Sequence, residues 1–124
     1  MYKLMAIALA GAAGTLTRYA LGGFVQRLLG AAFPWGTLVV NALGCLAFGV
    51  VWTAAQERGM LDAETRVVIL VGFMGAFTTF STFIAESGQL LSDRELLYGF
   101  GNLFLQVGLG LAAFYVGQAA ARAI

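Results

Sequence analysis

Four apolar segments, each longer than 20 residues, constrain this chain more than any other feature of its sequence. Charged and turn residues bound them at about residues 2–24, 34–56, 66–91 and 96–121. A helix needs roughly 20 apolar residues to cross the hydrocarbon of a bilayer. We therefore predict an all-α, multi-pass integral membrane protein whose four transmembrane helices form one domain over residues 1–124.

The composition excludes several other classes of protein. Hydrophobic residues make up 60% of the chain and charged residues 10%, whereas a soluble domain is typically about 25% charged. The net charge is +1 and there is no basic patch, so nucleic acid is not an expected partner. Histidine is absent and no nucleophile–base pair is visible, so an enzyme is not expected. Cys45 is the only cysteine, which excludes an intrachain disulfide.

The N-terminus has an alternative interpretation as a signal peptide. Lys3 precedes an apolar run that reaches the small residues Ala10, Gly11 and Ala12, a pattern that cleavable targeting segments share. The apolar character continues to Phe24, however, and cleavage after the small residues would leave half a span. We therefore interpret the whole segment as the first span.

The loop charges define the orientation of the chain only weakly. Four spans place both termini on one side of the membrane, and the basic residues of the two sides are Lys3, Arg58, Arg66 and Arg122 against Arg27 and Arg94. So small a bias permits insertion in both orientations, and a chain inserted both ways could pair with its inverted copy. The 17 glycines allow close helix packing, and four helices alone enclose little interior. Both features favour an oligomer.

The third segment carries an unusual cluster of polar and aromatic residues between Gly75 and Phe83. Four hydroxyl side chains and three phenylalanines occupy the seven positions from Phe77 to Phe83. Polar groups at that depth usually face protein or a water-filled path. Hydroxyl donors and the positive edges of phenyl rings suit a small anion that must bind and leave again. Glycine and consecutive threonines weaken a helix, so we predict a break near the middle of this helix, where freed carbonyls could coordinate a cation.

Polar residues inside the other spans leave two interpretations open. Asn41 lies in the second span, while Tyr98, Asn102 and Gln106 share one face of the fourth at i, i+4, i+8 spacing. These side chains could form hydrogen bonds between helices, or they could line a groove and donate to an anion. Arg18 could extend to the membrane interface, or it could place a positive charge at the mouth of an anion path.

Missing acidic residues distinguish between classes of transporter. Glu86 is the only acid within a span, and a proton-coupled carrier usually needs a titratable group near the midplane. Passive conduction is therefore favoured. A small four-span multidrug exporter would depend on a carboxylate in the first span, and none occurs between Met1 and Gln56. A non-transporting assembly subunit would leave the cluster in the third segment without a role.

Three sequence elements together resemble the Fluc (CrcB) fluoride channels of microbes. They are Gly75-x-x-Thr78-Thr79-Phe80-Ser81-Thr82-Phe83, the N-terminal Gly11-x-x-Gly14-x-x-x-Arg18-Tyr19, and Asn41 within Val39–Gly44. The resemblance covers the whole chain and implies an antiparallel, dual-topology homodimer with two pores. It also implies passive export of toxic fluoride across the cell inner membrane.

The same resemblance implies roles for individual residues. Phe80 and Phe83 match the paired phenylalanines that contact fluoride. Asn41 matches a pore asparagine, and Ser81 and Thr82 match hydroxyls of a polar track. Carbonyls of Gly75 and Thr78, two from each subunit, match the ligands of a structural Na⁺ at the dimer interface. The remaining candidate pore residues are Thr79, Tyr98, Asn102 and Arg18.

Overall fold

A computed structural model describes residues 1–124 and contains four helical spans joined by short connections. Helix α1 covers Tyr2–Leu29, α2 covers Trp35–Gln56, the third span covers Ala63–Ser92 and α6 covers Leu96–Ala123. All four are long and apolar enough to cross a membrane. The predicted all-α architecture with four candidate membrane spans is thereby confirmed.

The third span consists of several segments in succession. Helix α3 covers Ala63–Val67, a π-helical segment covers Val68–Met74, the short helix α4 covers Gly75–Phe77, and α5 covers Phe80–Ser92. Between α4 and α5 the backbone is extended, with φ −82° and ψ 157° at Thr78 and φ −147° and ψ 111° at Thr79. π-Helical turns are rare and frequently lie at functional sites.

Helix α1 continues five residues beyond the boundary expected at Phe24, ending at Leu29. Gly30 follows with φ 93°, a backbone conformation that glycine adopts without steric cost. Gln26 then organises the connection to α2, because its Nε2 donates to the Phe33 carbonyl at 2.9 Å and its Oε1 accepts from the Gly36 amide at 3.0 Å. The bond to Gly36 gives a partner to an amide in the first turn of α2, which has none within the helix, and the bond to Phe33 fixes the connection.

Glycines set the distances between the helices. A Cβ at Gly49 of α2 would collide with the Phe114 carbonyl of α6, and a Cβ at Gly117 of α6 would collide with the Leu46 carbonyl of α2. Gly14 of α1 lies equally close to the backbone of the third span at Phe73. Such contacts are typical of membrane helices, which associate through close backbone packing.

The bundle is too thin to bury most of its apolar side chains. Only 21 of 124 residues are buried within the chain. Large side chains such as Leu97, Phe104 and Tyr115 are mostly exposed. A soluble protein rarely exposes so much apolar surface, so these side chains face lipid or another protein.

Candidate functional site

The extended residues of the third span lie between two cavities. A groove of about 570 Å³ is lined on one side by Thr78, Thr79, Phe80 and Phe83. The second cavity, of about 270 Å³, has a polar lining that includes Arg18, Thr37, Thr79, Thr82 and Glu86. Thr79 lines both cavities, so the interruption of the third span brings the two close together.

Asn41 of α2 pairs with the exposed backbone of the interruption. Its Oδ1 accepts from the Thr79 amide at 2.8 Å, and its Nδ2 donates to the Thr79 carbonyl at 3.0 Å. The side-chain amide thus takes the place of a neighbouring strand and satisfies both backbone groups of Thr79. In a bilayer an extended segment needs such a partner, because each unsatisfied backbone group costs several kcal/mol.

A continuous row of hydrogen bonds leads from Asn41 into α6 and back to α5. Asn41 Nδ2 donates to Gln106 Oε1 at 3.0 Å, and Gln106 Nε2 donates to Asn102 Oδ1 at 3.3 Å. Asn102 Nδ2 then donates to Ser87 Oγ at 2.9 Å, which donates to the Phe83 carbonyl at 2.8 Å. Of the two interpretations left open by the sequence, hydrogen bonding between helices is observed for Asn41, which joins α2 to α6, and for Asn102, which joins α6 to α5.

Ser87 was not found from the sequence. It lies on the same face of α5 as Phe80 and Phe83, at spacings of seven and four residues, and it is fully buried. This shared helix face was the sequence feature from which Ser87 could have been identified. A lone serine in an apolar segment more often bonds to its own helix, so the spacing alone did not distinguish it.

The two phenylalanines of the cluster are in contact but differ in exposure. The ring centroids of Phe80 and Phe83 are 5.6 Å apart and the rings are inclined at 72°. Phe83 is buried, whereas Phe80 is 74% exposed within the single chain. In this edge-to-face arrangement one ring presents its positive edge to the other's face. Phe80 is therefore free to present its other edges to the groove or to another chain.

The hydroxyl side chains of the cluster differ in their hydrogen-bond partners. Thr79 Oγ1 donates to Thr82 Oγ1 at 2.9 Å and accepts from the Thr82 amide at 3.2 Å, so it caps the start of α5. Thr78 Oγ1 donates to the Met74 carbonyl at 2.9 Å. The Ser81 side chain is exposed, and its hydroxyl has no hydrogen-bond partner within the chain. The threonines therefore shape the interruption, whereas the Ser81 hydroxyl is left free.

The polar cavity contains one basic and one acidic residue. Arg18 Nε donates to the Ala76 carbonyl at 3.0 Å. Thr37 Oγ1 donates to Glu86 Oε1 at 2.8 Å, while Glu86 Oε2 is buried without a partner. Thr37 is a second polar residue that the sequence did not single out. It lies one helical turn before Asn41 on α2, and this i, i+4 relation was the available signal.

Tyr98 lies apart from the other polar residues of α6. It is 40% exposed, and its ring packs edge-to-face on Phe33 with centroids 5.9 Å apart. It has no side-chain hydrogen bond to Asn41, Asn102 or Gln106. The structure brings Asn102 to the cluster and leaves Tyr98 at the end of the helix.

A cation near the interruption would depend on backbone oxygens. The chain has no group of three or more His, Cys, Asp or Glu side chains that could hold a metal ion. Gly75 is exposed and its neighbourhood is open, since the nearest atom to a Cβ built there is the Leu70 carbonyl oxygen at 3.8 Å. The Gly75 carbonyl lies in the short helix α4, and the Thr78 carbonyl belongs to the first extended residue after that helix. Carbonyl donors of this kind suit hard cations such as Na⁺.

Comparison with known proteins gives one consistent result over almost the whole chain. Residues 5–118 match the family described as CrcB-like protein, Camphor Resistance (CrcB). The fluoride-specific ion channel FluC of Solidesulfovibrio magneticus is 60% identical over 122 residues, which is 98% of each chain. The protein of the same name from Nitrosococcus oceani is 56% identical, over 93% of this chain and 92% of its own. The one from Thermus thermophilus is 45% identical, over 96% of this chain and 98% of its own. The resemblance noted in the sequence is confirmed, and this chain belongs to the CrcB family.

Proposed function

We propose that this protein is a fluoride-selective ion channel that conducts passively and exports fluoride across the cell inner membrane. The observation that supports this most is the convergence of aromatic edges and amide groups at the interruption of the third span. Phe80 and Phe83 line the larger groove together with Asn41 and Gln106. Relatives up to 60% identical over 98% of the chain are named fluoride-specific ion channels. Passive conduction of an ion involves no chemical reaction, so this function is not enzymatic.

The proposed pathway combines weak anion ligands along its length. Ring edges of Phe80 and Phe83 and hydroxyls of Thr79, Ser81 and Thr82 would contact fluoride in turn. None of these groups binds an anion tightly alone, which suits conduction because an ion must also leave. Arg18 would supply positive charge at the polar cavity, and Asn41, Asn102 and Tyr98 complete the proposed set.

The channel that we propose is a homodimer of two chains in opposite orientations, with two pores. The exposed Phe80 and the extensive apolar surface of the single chain support a second copy. An inverted copy is supported by the weak difference in basic residues between the two sides. A tag at the C-terminus should be accessible from both sides of the membrane in cells. Accessibility from one side only would contradict the dual topology.

A structural Na⁺ at the dimer interface forms part of the proposal. The chemistry of the residues fits, because the Gly75 and Thr78 carbonyls flank the end of α4 and no bulky side chain covers Gly75. Two carbonyls from each subunit would supply four oxygen ligands, and the ion would hold the two interruptions together. A Na⁺-free preparation that keeps full flux and a stable dimer would contradict this part.

The deciding experiment is ion efflux from liposomes that contain the purified protein. We expect rapid fluoride efflux driven by voltage, no chloride efflux and no need for a proton gradient. Phe80→Ile and Phe83→Ile keep apolar bulk and remove the positive ring edge, so each should lower fluoride flux by at least about tenfold, which corresponds to about 1.4 kcal/mol in the barrier. Phe104→Ile replaces an exposed ring that does not line the groove and serves as the matched control. Equal efflux rates for chloride and fluoride would contradict the proposal. Unchanged fluoride flux in both Phe80→Ile and Phe83→Ile would show that these rings serve only in packing.

A further inference from the structure

Two helix ends lie inside the third span, where water cannot complete their hydrogen bonds. At the end of α4, the Met74 carbonyl accepts from both the amide of Thr78 at 3.1 Å and its hydroxyl at 2.9 Å. The Ala76 carbonyl has a different kind of partner, the Nε of Arg18 at 3.0 Å. The last turn before the interruption is therefore held by a charged side chain from another helix.

The N-terminal glycine–arginine element explains how Arg18 reaches this carbonyl. Gly14 and Arg18 are four residues apart and share one face of α1. A Cβ at Gly14 would collide with the Phe73 carbonyl and would lie 3.1 Å from the Phe77 amide nitrogen. Since Gly14 has no side chain, α1 packs directly on the backbone of the third span. One helical turn later, Arg18 therefore lies beside the end of α4.

The contact uses a nitrogen that only arginine has at this position of its side chain. The bond to Ala76 uses Nε, which lies within the side chain and has no equivalent in lysine. A positive donor at a helix C-terminus also interacts favourably with the exposed carbonyls there. Arg18 also lines the polar cavity, together with Thr82 and Glu86. One side chain thus touches both the helix end and the polar cavity.

We propose that Arg18 is a positioning residue, which fixes the backbone of residues 75–79 by holding the Ala76 carbonyl. The Gly75 and Thr78 carbonyls proposed for the cation site belong to this segment, and Phe80, which lines the groove, follows it directly. The inference rests on the proposed function, because it assigns Arg18 a role in the same channel. It differs from a simple attraction of anions, in which only the charge of Arg18 would matter.

Two substitutions separate the hydrogen bond from the charge. Arg18→Lys keeps the charge and removes Nε, and Arg18→Gln removes both. Each variant is reconstituted in liposomes, and its fluoride flux is measured over a range of Na⁺ concentrations. Hydrogen exchange at the Thr78 amide is measured separately in detergent. Arg27→Lys and Arg27→Gln are the matched controls, because Arg27 is an exposed arginine on the same helix.

A positioning role predicts that both Arg18 variants behave alike. Loss of a charge-assisted hydrogen bond should lower the flux of each by at least about tenfold. The Na⁺ concentration for half-maximal flux should rise at least about threefold, and the Thr78 amide should exchange faster. A charge-only role predicts wild-type behaviour of Arg18→Lys. It also predicts tighter Na⁺ binding in Arg18→Gln, because a positive charge near the cation site is removed.

Several results would overturn the inference. Wild-type flux and Na⁺ dependence in Arg18→Lys would do so, as would a lower Na⁺ requirement in Arg18→Gln. If Arg18→Lys fails to fold while Arg27→Lys folds, Arg18 is a folding residue and the inference is also wrong. If the wild type itself conducts no fluoride, the proposed function fails. Hydrogen exchange then decides the inference alone, and unchanged protection of the Thr78 amide in Arg18→Lys would overturn it.

Discussion

The third and fourth spans respond differently to residues that weaken helices. Helix α6 contains five glycines and is continuous from Leu96 to Ala123. The third span contains three glycines between Ala63 and Ser92 and is interrupted at Thr78–Thr79. Glycine is intrinsically unfavourable in a helix by about 1 kcal/mol relative to alanine. Glycine content therefore does not determine which of the two spans is interrupted.

The difference lies in the partners that neighbouring helices offer. Glycines of α6 lie against the α2 backbone, as Gly117 does, against an apolar side chain, as Gly99 does at Leu91, or beside open space, as Gly108 does. None of these three surroundings offers a polar side chain that could replace a hydrogen bond of the α6 backbone. At the interruption, Asn41 binds both backbone groups of Thr79 and Arg18 binds the Ala76 carbonyl. In a bilayer a helix breaks only where other groups replace its hydrogen bonds, and that condition is met in the third span.

The substitution with the largest expected effect removes Asn41, the main hydrogen-bond partner of the interruption. Asn41→Leu keeps the size of the side chain and leaves both groups of Thr79 and the Oε1 of Gln106 without partners. Buried unsatisfied groups cost about 1–3 kcal/mol each. We expect a loss of roughly 3 kcal/mol or more in the free energy of unfolding and a loss of fluoride flux. Denaturant unfolding in mixed micelles and liposome efflux are the measurements.

A matched control for Asn41→Leu is available on the interrupted span itself. Gln89 has an exposed amide that donates to Asp93 Oδ1 at 3.0 Å. Gln89→Leu should change the free energy of unfolding by no more than about 0.5 kcal/mol and leave flux unchanged. If Asn41→Leu is equally mild, the interruption does not depend on side-chain partners and the contrast between the two spans has another cause.

A smaller test compares two glycines within α6. A Cβ at Gly117 would collide with the Leu46 carbonyl, whereas nothing lies within 4 Å of one at Gly108. Gly117→Ala should destabilise the protein by about 1–3 kcal/mol through overpacking. Gly108→Ala should leave stability unchanged or raise it by up to about 1 kcal/mol. Both are measured by unfolding in mixed micelles. Equal losses would show that Gly108 also packs closely, against a surface outside the single chain.

Much of the site was accessible from the sequence because membrane chemistry makes polar residues conspicuous. Asn41, Asn102 and the hydroxyl–phenylalanine cluster were identified because they are polar or unusual in apolar segments. Tyr98 was grouped with Asn102 by helical spacing, but it lies one turn earlier in α6, near the start of the helix, where it packs on Phe33. Ser87 and Thr37 were missed because a single hydroxyl in a span usually satisfies itself on its own helix.

The sequence by itself determined the number of spans, the membrane setting, the family and the position of the polar cluster. Apolar length and residue type are properties of local segments, so they can be identified without knowledge of the neighbouring helices. Only the tertiary structure decided which groups meet: Asn41 with Thr79, Asn41 with Gln106, and Arg18 with Ala76. Those bonds depend on how closely the helices approach and how they are rotated. These distances are set by backbone contacts at glycines such as Gly14, whose partners lie far away in the sequence.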